Sequence, residues 1–587
     1  MDGVAVVRID NPPVNASTAA VRAGLLSAVR AAARDDAVTS VVLIGTGNTF
    51  VTGSDLREFD GPLPRPQLPE VTAAIEVCAK PVVAAMAGPV LGGGFELALA
   101  CDARVAARST SVGLPEVGLG MLPGAGGTQR LPRLVGMARA LHLVCSGERL
   151  AAGQAREAGI VDALAEEDLL GAAMAFARTA VKRNLLDRPV VADPPGSVEE
   201  AVRRALAAGE GRPQVVAATG AVLMSGAVPA RIALAHERAE FDRLRTSGEA
   251  RALRHLFFAE RSATREHRWH RTSTGHTQPI AVIGAGAQGV GIARTLLRTG
   301  HSVVLVDTSR EGRDRGTTAP EAGQRTGSIT TTTELGDASH CGLVIDSIVD
   351  DLGAVKKRVL HDLGELLPTH TVIASHPCDL GLDELAGEVP EPSRVVGMHF
   401  VPPVHATGVV EVVRGARTSP ATIARAVDLI RAMGKVPVVS AAGAGSLGGR
   451  VWRAYRTQCD NMLAEGAPGD QINRALRAFG MATGPFEGNG VVVDGGARRP
   501  FTDEEIVRRA VLAMANEATR LVDAGIATRA SDVDLLMTLG YGFPRHHGGP
   551  AFWAAVATEK PTDPSDAPGA GSLGADRGRP QERADGA

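Results

Sequence analysis

The stretch VLGGGFELALACD (90–102) places three consecutive glycines and then a glutamate, Glu96, at the start of an apolar run. Glycine weakens a helix, so three of them at a helix start need a reason. One reason is that a ligand must come close to the backbone. The first turn of a helix carries N–H groups without internal partners, and the helix dipole adds to them, so this end suits a developing negative charge. A tight strand-to-helix junction, with Glu96 only complementing the dipole, is the competing explanation. A second group of residues points to a different ligand. Gly284, Gly286 and Gly289 form G-x-G-x-x-G directly after an apolar strand and at the start of a helix, and Asp307 ends the next strand. Such glycines admit a pyrophosphate, and an acid at that strand end accepts from adenosine ribose hydroxyls, which favours NAD over NADP. The alternative is a tight turn that binds nothing.

The elements that must hold these residues follow an α/β pattern. VAVVRI (4–9) and SVVLIG (40–45) read as strands, AAVRAGLLSAVRAAAR (19–34) as an amphipathic helix between them, and PVVAAMAG (81–88) as a further strand. DPPG (193–196) breaks the pattern, and the Ala/Arg/Glu-rich residues that follow, to about 275, read as a helical connection. Residues 276–440 return to strand and helix alternation. The stretch after Asp307, TSREGRDRGTTAPEAGQRTGSITTTTEL, lacks helical periodicity. From 441 the periodicity is helical, in two blocks split near GGARRP (495–500). The tail from 558 has one leucine and no aromatics, so it is expected to be disordered.

Composition narrows the function classes. With a net charge of -3, no global field favours nucleic acid or an anionic membrane. No apolar run reaches the roughly 18 residues that span a bilayer. The N-terminus reads as a first strand, not a signal peptide. Six scattered cysteines without a C-x-x-C pair imply reduced thiols, no metal framework and a cytoplasmic location.

Two further segments join the glycine run. GTGNTFVTGSDLREF (45–59) is a strand followed by a turn with Gly53, Ser54 and Asp55, and LPEVGLGMLPGAGGTQRLPRLVG (114–136) sets Glu116 ahead of a second glycine-rich turn. In order and spacing, the three resemble the enoyl-CoA hydratase/isomerase (crotonase) family over most of residues 1–185. That resemblance implies a ββα spiral that binds a coenzyme A thioester. It assigns the backbone N–H groups of Ser54 and Gly93 to an oxyanion hole for the thioester oxygen. It also assigns Glu96 and Glu116 to a pair that grips one water, one carboxylate activating it and the other giving a proton to Cα, with Gly124 near the water; the reading leans to Glu116 as the donor and Glu96 as the activating group, a split the sequence leaves open. Keeping both carboxylates favours hydration of trans-2-enoyl-CoA, with a 3-enoyl double-bond shift as a secondary activity.

RVVGMHFVPPVHATGVVEVVRG (394–415) resembles the signature of 3-hydroxyacyl-CoA dehydrogenases. The match implies a doubly wound Rossmann domain with NAD as cofactor, His399 as the base and Glu411 as its orienting partner. FGMATGPFE (479–487) and GYGFPRHHGGPAFW (540–553) resemble the two C-terminal helical domains of peroxisomal-type bifunctional enzymes, and EARALRHLFFAER their interdomain helix. The implied architecture is α/β and multidomain: crotonase domain 1–185, helical linker 186–275, Rossmann domain 276–440, helical domains 441–500 and 501–557, and tail 558–587. The implied function is β-oxidation in two steps: hydration of 2-enoyl-CoA, then NAD-dependent oxidation of the L-3-hydroxyacyl-CoA, with a thiolase as a partner downstream. Four departures weaken the dehydrogenase half: the stretch after Asp307 is short and lacks helical periodicity where that family carries a helical hairpin at its acyl-CoA site, and three are changes of residue. Cys378 stands where that family has a substrate-holding serine, Gly449 where it has an asparagine, and HFVPP (399–403) lacks a further asparagine. They support a second reading, a hydratase whose dehydrogenase half is impaired or serves as a scaffold.

Overall fold

The computed structural model describes residues 3–265, 278–317, 327–348, 353–376, 381–443, 445–487 and 500–558. The tail from 559 lies outside the described residues, as do most of the polar stretch before the second strand unit and the GGARRP segment.

In the N-terminal part, strands Val4–Ile9, Ser40–Gly45, Val82–Met86, Ala103–Ala107 and Ala163–Ala165 form one sheet in that order, and every neighbouring pair is parallel. All six residues of Ser40–Gly45 are buried. This fits a central parallel strand, because crossovers cover both faces of such a sheet. The crossover helix Ala19–Arg34 has the bounds its apolar periodicity predicts, and the Thr18 side chain caps it by accepting from the Val21 N–H. A small second sheet of Pro89–Leu91, Ser111–Gly113 and Leu150–Ala151 turns the chain towards the glycine run. Stacked strands and helices of this kind make the expected spiral.

Among the described residues, the stretch expected as a helical connection forms helices Ser197–Ala208, Pro213–Ala227, Ala230–Arg245 and Gly248–Arg265, but the reading of a plain connection misses what they do. Helices Pro213–Ala227 and Ala230–Arg245 join the first core through Val215, Ala218, Ala221, Val222, Phe241 and Leu244. The helix Gly248–Arg265 contributes Ala250 to that core, then Leu256, Ala259 and Ala263 to the core of the C-terminal helices. At 1.5 Å per residue it reaches about 27 Å, enough to bridge two cores. Much of the contact is made by alanine, whose weak hydrophobic signal resembles that of a solvated helix.

The central sheet runs Ile329–Thr332, Val303–Val306, Ile280–Ile283, Leu343–Asp346, Val372–Ser375, Val395–Phe400, Val409–Arg414, Val436–Ala441. Numbered along the chain, the first six strands stand in the order 3-2-1-4-5-6 and are all parallel. This is the doubly wound arrangement, which binds a dinucleotide at the carboxyl ends of the strands where the order reverses. Val409–Arg414 then runs antiparallel to Val395–Phe400 and pairs parallel with the last strand. One expectation fails here. A helix, Arg310–Thr317, follows Asp307, where none was read. It has no apolar stripe to betray it. Local capping starts it: Ser309 Oγ accepts from the Gly312 N–H at 3.1 Å.

Helices Leu447–Ala464, Gly469–Phe479, Asp503–Asp523, Ala530–Leu539 and Pro550–Thr558 follow. One hydrophobic cluster draws on both of the expected helical blocks, including Val451, Ile472, Ile506 and Leu535. Thr558, read as the first tail residue, ends the last helix.

Candidate active site

Each glycine of the run has its own steric reason. Gly92 has φ +50°, and a Cβ there would lie 2.9 Å from Glu116 Oε1. A Cβ on Gly93 would sit 2.6 Å from Ser54 Oγ, and one on Gly94 only 2.0 Å from the Val51 carbonyl oxygen. The helix Gly93–Ala100 can therefore start here only without side chains. The glycine run also brings the two expected donors together, since the Cβ position of Gly93 is 3.6 Å from the Ser54 nitrogen. Among the described residues, neither the Ser54 nor the Gly93 amide donates to a protein acceptor, while the neighbouring Gly92 amide is used by Gly113. Gly94→Ala must push the helix off the Val51 carbonyl. It is expected to lower the hydration rate about 100-fold, the cost of about 1 Å of misplacement, with NAD-dependent oxidation retained. Steady-state assays of both reactions on one preparation check this.

Both carboxylates face the same cavity, of about 1050 Å³, lined also by Ser54, Gly93 and Gly124. Glu96 and Glu116 are buried, at 3% and 8% exposure. Their surroundings differ. Glu96 Oε1 accepts from the Ala125 N–H at 2.7 Å and the Gly127 N–H at 2.9 Å, both from the second glycine turn. Glu116 Oε2 is buried with no hydrogen-bond partner among the described residues. Burial, then the charge of Glu96, push Glu116 well above the usual carboxylate range. Burial also raises Glu96, but the two amides and the charges of Arg130 and Arg238 oppose it. Burial thus disfavours a charge on either member of the pair. Gly124 lies in the cavity wall under Phe241, whose ring would be 2.5 Å from a Cβ at that position.

Sequence reading missed a third carboxylate, Glu237, which is 1% exposed. It accepts from the Gly126 N–H at 2.6 Å, the Thr128 N–H at 3.0 Å and the Thr128 hydroxyl. A signal was there to be read. Ala233, Glu237, Phe241 and Leu244 are the buried residues of their helix, so an acid occupies its apolar stripe. The cavity also reaches Phe257 and Arg261 of the bridging helix and Arg529 and Arg545 of the C-terminal part.

In the central domain, Gly284 has φ +100°, and a Cβ on Gly289 would lie 1.9 Å from the Gly284 carbonyl oxygen, so the helix Ala287–Arg298 packs tightly on the turn. Gly286, at the helix N-cap, has open space where a Cβ would be. This is a cradle that a pyrophosphate fits. The Asp307 carboxylate reaches the same turn, accepting from the Ala285 N–H at 2.6 Å and the Ser309 N–H at 2.7 Å.

His399 and Glu411 face each other across the antiparallel strand pair, with Nδ1 3.7 Å from Oε2. Glu411 is held by the Ser440 hydroxyl at 2.8 Å and the Leu447 N–H at 2.7 Å. Gly449 brings no side chain, and its N–H donates to Ser446 Oγ. The glutamate is held through the start of the helix Leu447–Ala464. Cys378 lies outside the described residues. The structure adds His376, unforeseen as a neighbour, with its ring 5.0 Å from that of His399.

A fold that joins a crotonase spiral to a doubly wound dinucleotide domain, with paired carboxylates in one and a His–Glu pair in the other, defines a two-site enzyme class acting on acyl thioesters. The comparisons agree. The family described as enoyl-CoA hydratase/isomerase matches residues 1–188, and that described as the NAD-binding domain of 3-hydroxyacyl-CoA dehydrogenase matches 279–443. The peroxisomal bifunctional enzyme of Danio rerio is 33% identical over 94% of this chain and 91% of its own length. The protein of that name from Cavia porcellus is 30% identical over the same shares. The fatty acid oxidation complex subunit alpha of Shewanella amazonensis is 30% identical over 94% of this chain and 92% of its own. The chain belongs to this family of bifunctional hydratase–dehydrogenase enzymes.

Proposed function

We propose that this chain is a bifunctional β-oxidation enzyme that hydrates trans-2-enoyl-CoA and oxidises the resulting L-3-hydroxyacyl-CoA with NAD. The observation that carries the first step is the convergence of two unengaged amides and two unlike carboxylates on one cavity. The thioester oxygen takes the N–H groups of Ser54 and Gly93, which stabilise the enolate by about 3–4 kcal/mol each. Glu96 removes a proton from water as its oxygen adds to Cβ, and Glu116 gives its proton to Cα. A double-bond shift of 3-enoyl-CoA at the same carboxylates is a secondary activity.

For the second step, Gly284, Gly286, Gly289 and Asp307 would hold NAD, which when bound supplies the hydride acceptor. His399 takes the hydroxyl proton, and Glu411 orients the imidazole and balances its charge. Nothing in the geometry or the comparisons favours the second reading, a dehydrogenase half kept as scaffold. Glu411 Oε1 accepts from the Ser440 hydroxyl and the Leu447 N–H.

The 3-ketoacyl-CoA product suits thiolysis, so a thiolase is the proposed partner. No helix among the described residues is long and apolar enough to cross a membrane. The five described cysteines are all unbridged, which supports a reducing compartment, and we place the chain in the cytoplasm. Purified protein is expected to consume crotonyl-CoA, followed as loss of enoyl absorbance, and to form NADH from 3-hydroxybutyryl-CoA. Loss of the first without the second, or the reverse, assigns the failure to one half.

A further inference from the structure

The second glycine turn offers four successive backbone N–H groups, and two buried carboxylates take them alternately. Ala125 and Gly127 donate to Glu96, while Gly126 and Thr128 donate to Glu237. Alternation of this kind locks the turn from both sides. The amides that hold Glu96 point the right way because Glu237 holds the intervening ones. Glu237 reaches the turn from the helix Ala230–Arg245, outside the residues that match the hydratase family. From this geometry we infer that Glu237 is a positioning residue of the hydratase site, fixing the turn that orients Glu96 and setting the charge around both catalytic carboxylates. The inference rests on the hydratase function proposed above.

The charged groups facing Glu237 are Glu96 on the glycine-run helix, Glu116 on the turn after Pro115 and Arg130 at the end of the second glycine turn. The neighbouring helix Pro213–Ala227 has no ionisable residue. Burial, then the charge of Glu96, push Glu237 up to about 8. The same repulsion acts in reverse, so a charge on Glu237 makes both Glu96 and Glu116 harder to ionise.

Glu237→Gln removes the charge that Glu237 carries above about 8 and replaces one acceptor oxygen with a donor. The expected result is a kcat for crotonyl-CoA lower by about 10- to 100-fold, in line with the cost of a misplaced group, with KM little changed. The alkaline limb of the pH–rate profile, where wild-type Glu237 ionises, should move towards acid by about half a unit or more because Glu116 loses a negative neighbour there, while the acid limb stays in place. Glu237→Asp keeps the charge and should leave the limbs near wild type. The assignment stands only if kcat and the alkaline limb both move in Glu237→Gln. A lower kcat with an unmoved alkaline limb marks a fold support and overturns it, as does an unchanged kcat.

A measurement without turnover separates this inference from the function it rests on. Native wild type keeps a proton on Glu237 that the unfolded chain releases, so it loses stability as pH rises from 4.5 to about 8. The glutamine variant escapes that loss. Its melting temperature minus that of wild type should therefore rise across this window, and a flat difference overturns the placement of Glu237 among these charges even if wild type proves inactive.

Discussion

Glu116→Gln is expected to lower kcat for hydration of crotonyl-CoA by about 10²- to 10⁴-fold, the range for losing a general acid or base, with a small change in KM. The side chain keeps its size, and Glu116 Oε2 has no hydrogen bond among the described residues to lose. What disappears is the proton that burial and the charge of Glu96 hold there. Glu96→Gln should cost as much for a different reason. The amide oxygen can still accept from Ala125 and Gly127, so the turn keeps its shape, but nothing takes the proton from water. The pH dependence has a definite sign. Hydration needs Glu116 protonated, so its rate should fall as pH rises through the raised value of that group. Initial rates across pH, with circular dichroism to confirm folding, check all three statements. A loss below about tenfold in either variant would remove that carboxylate from the proton transfers.

His399→Gln should lower NADH formation from 3-hydroxybutyryl-CoA by about 10²- to 10⁴-fold and leave hydration within about twofold. The base faces Glu411 at 3.7 Å, and Glu411 is fixed by Ser440 and the start of a helix. Glu411→Gln should cost less than His399→Gln, because it removes the balancing charge and leaves the base in place. Since hydration and oxidation use separate sites, each variant carries an internal control. If wild type forms no NADH while hydrating normally, the dehydrogenase half is a scaffold, and the departures at Cys378 and Gly449 become the first positions to restore.

Much of this protein was legible along the chain, and the legible part shares one property. The helix Ala19–Arg34, the strand Ser40–Gly45 and the turn from Gly284 to Gly289 are each specified by neighbours a few residues away, through apolar period, capping and glycine sterics. Glu96 drew notice through such a frame, whereas Glu116, His399 and Glu411 were assigned through the family resemblance of the motifs around them. The helix Arg310–Thr317 escaped because capping, not an apolar stripe, begins it.

The residue types, their order and the two kinds of chemistry were determined by the sequence alone. Only the tertiary structure decided that Glu237 reaches Gly126 across more than a hundred residues, that both helical blocks share one core, and that one cavity runs from the glycine turns to Arg529 and Arg545. These are contacts between distant segments, set by how whole helices pack, and no periodicity within either segment records which partner it meets.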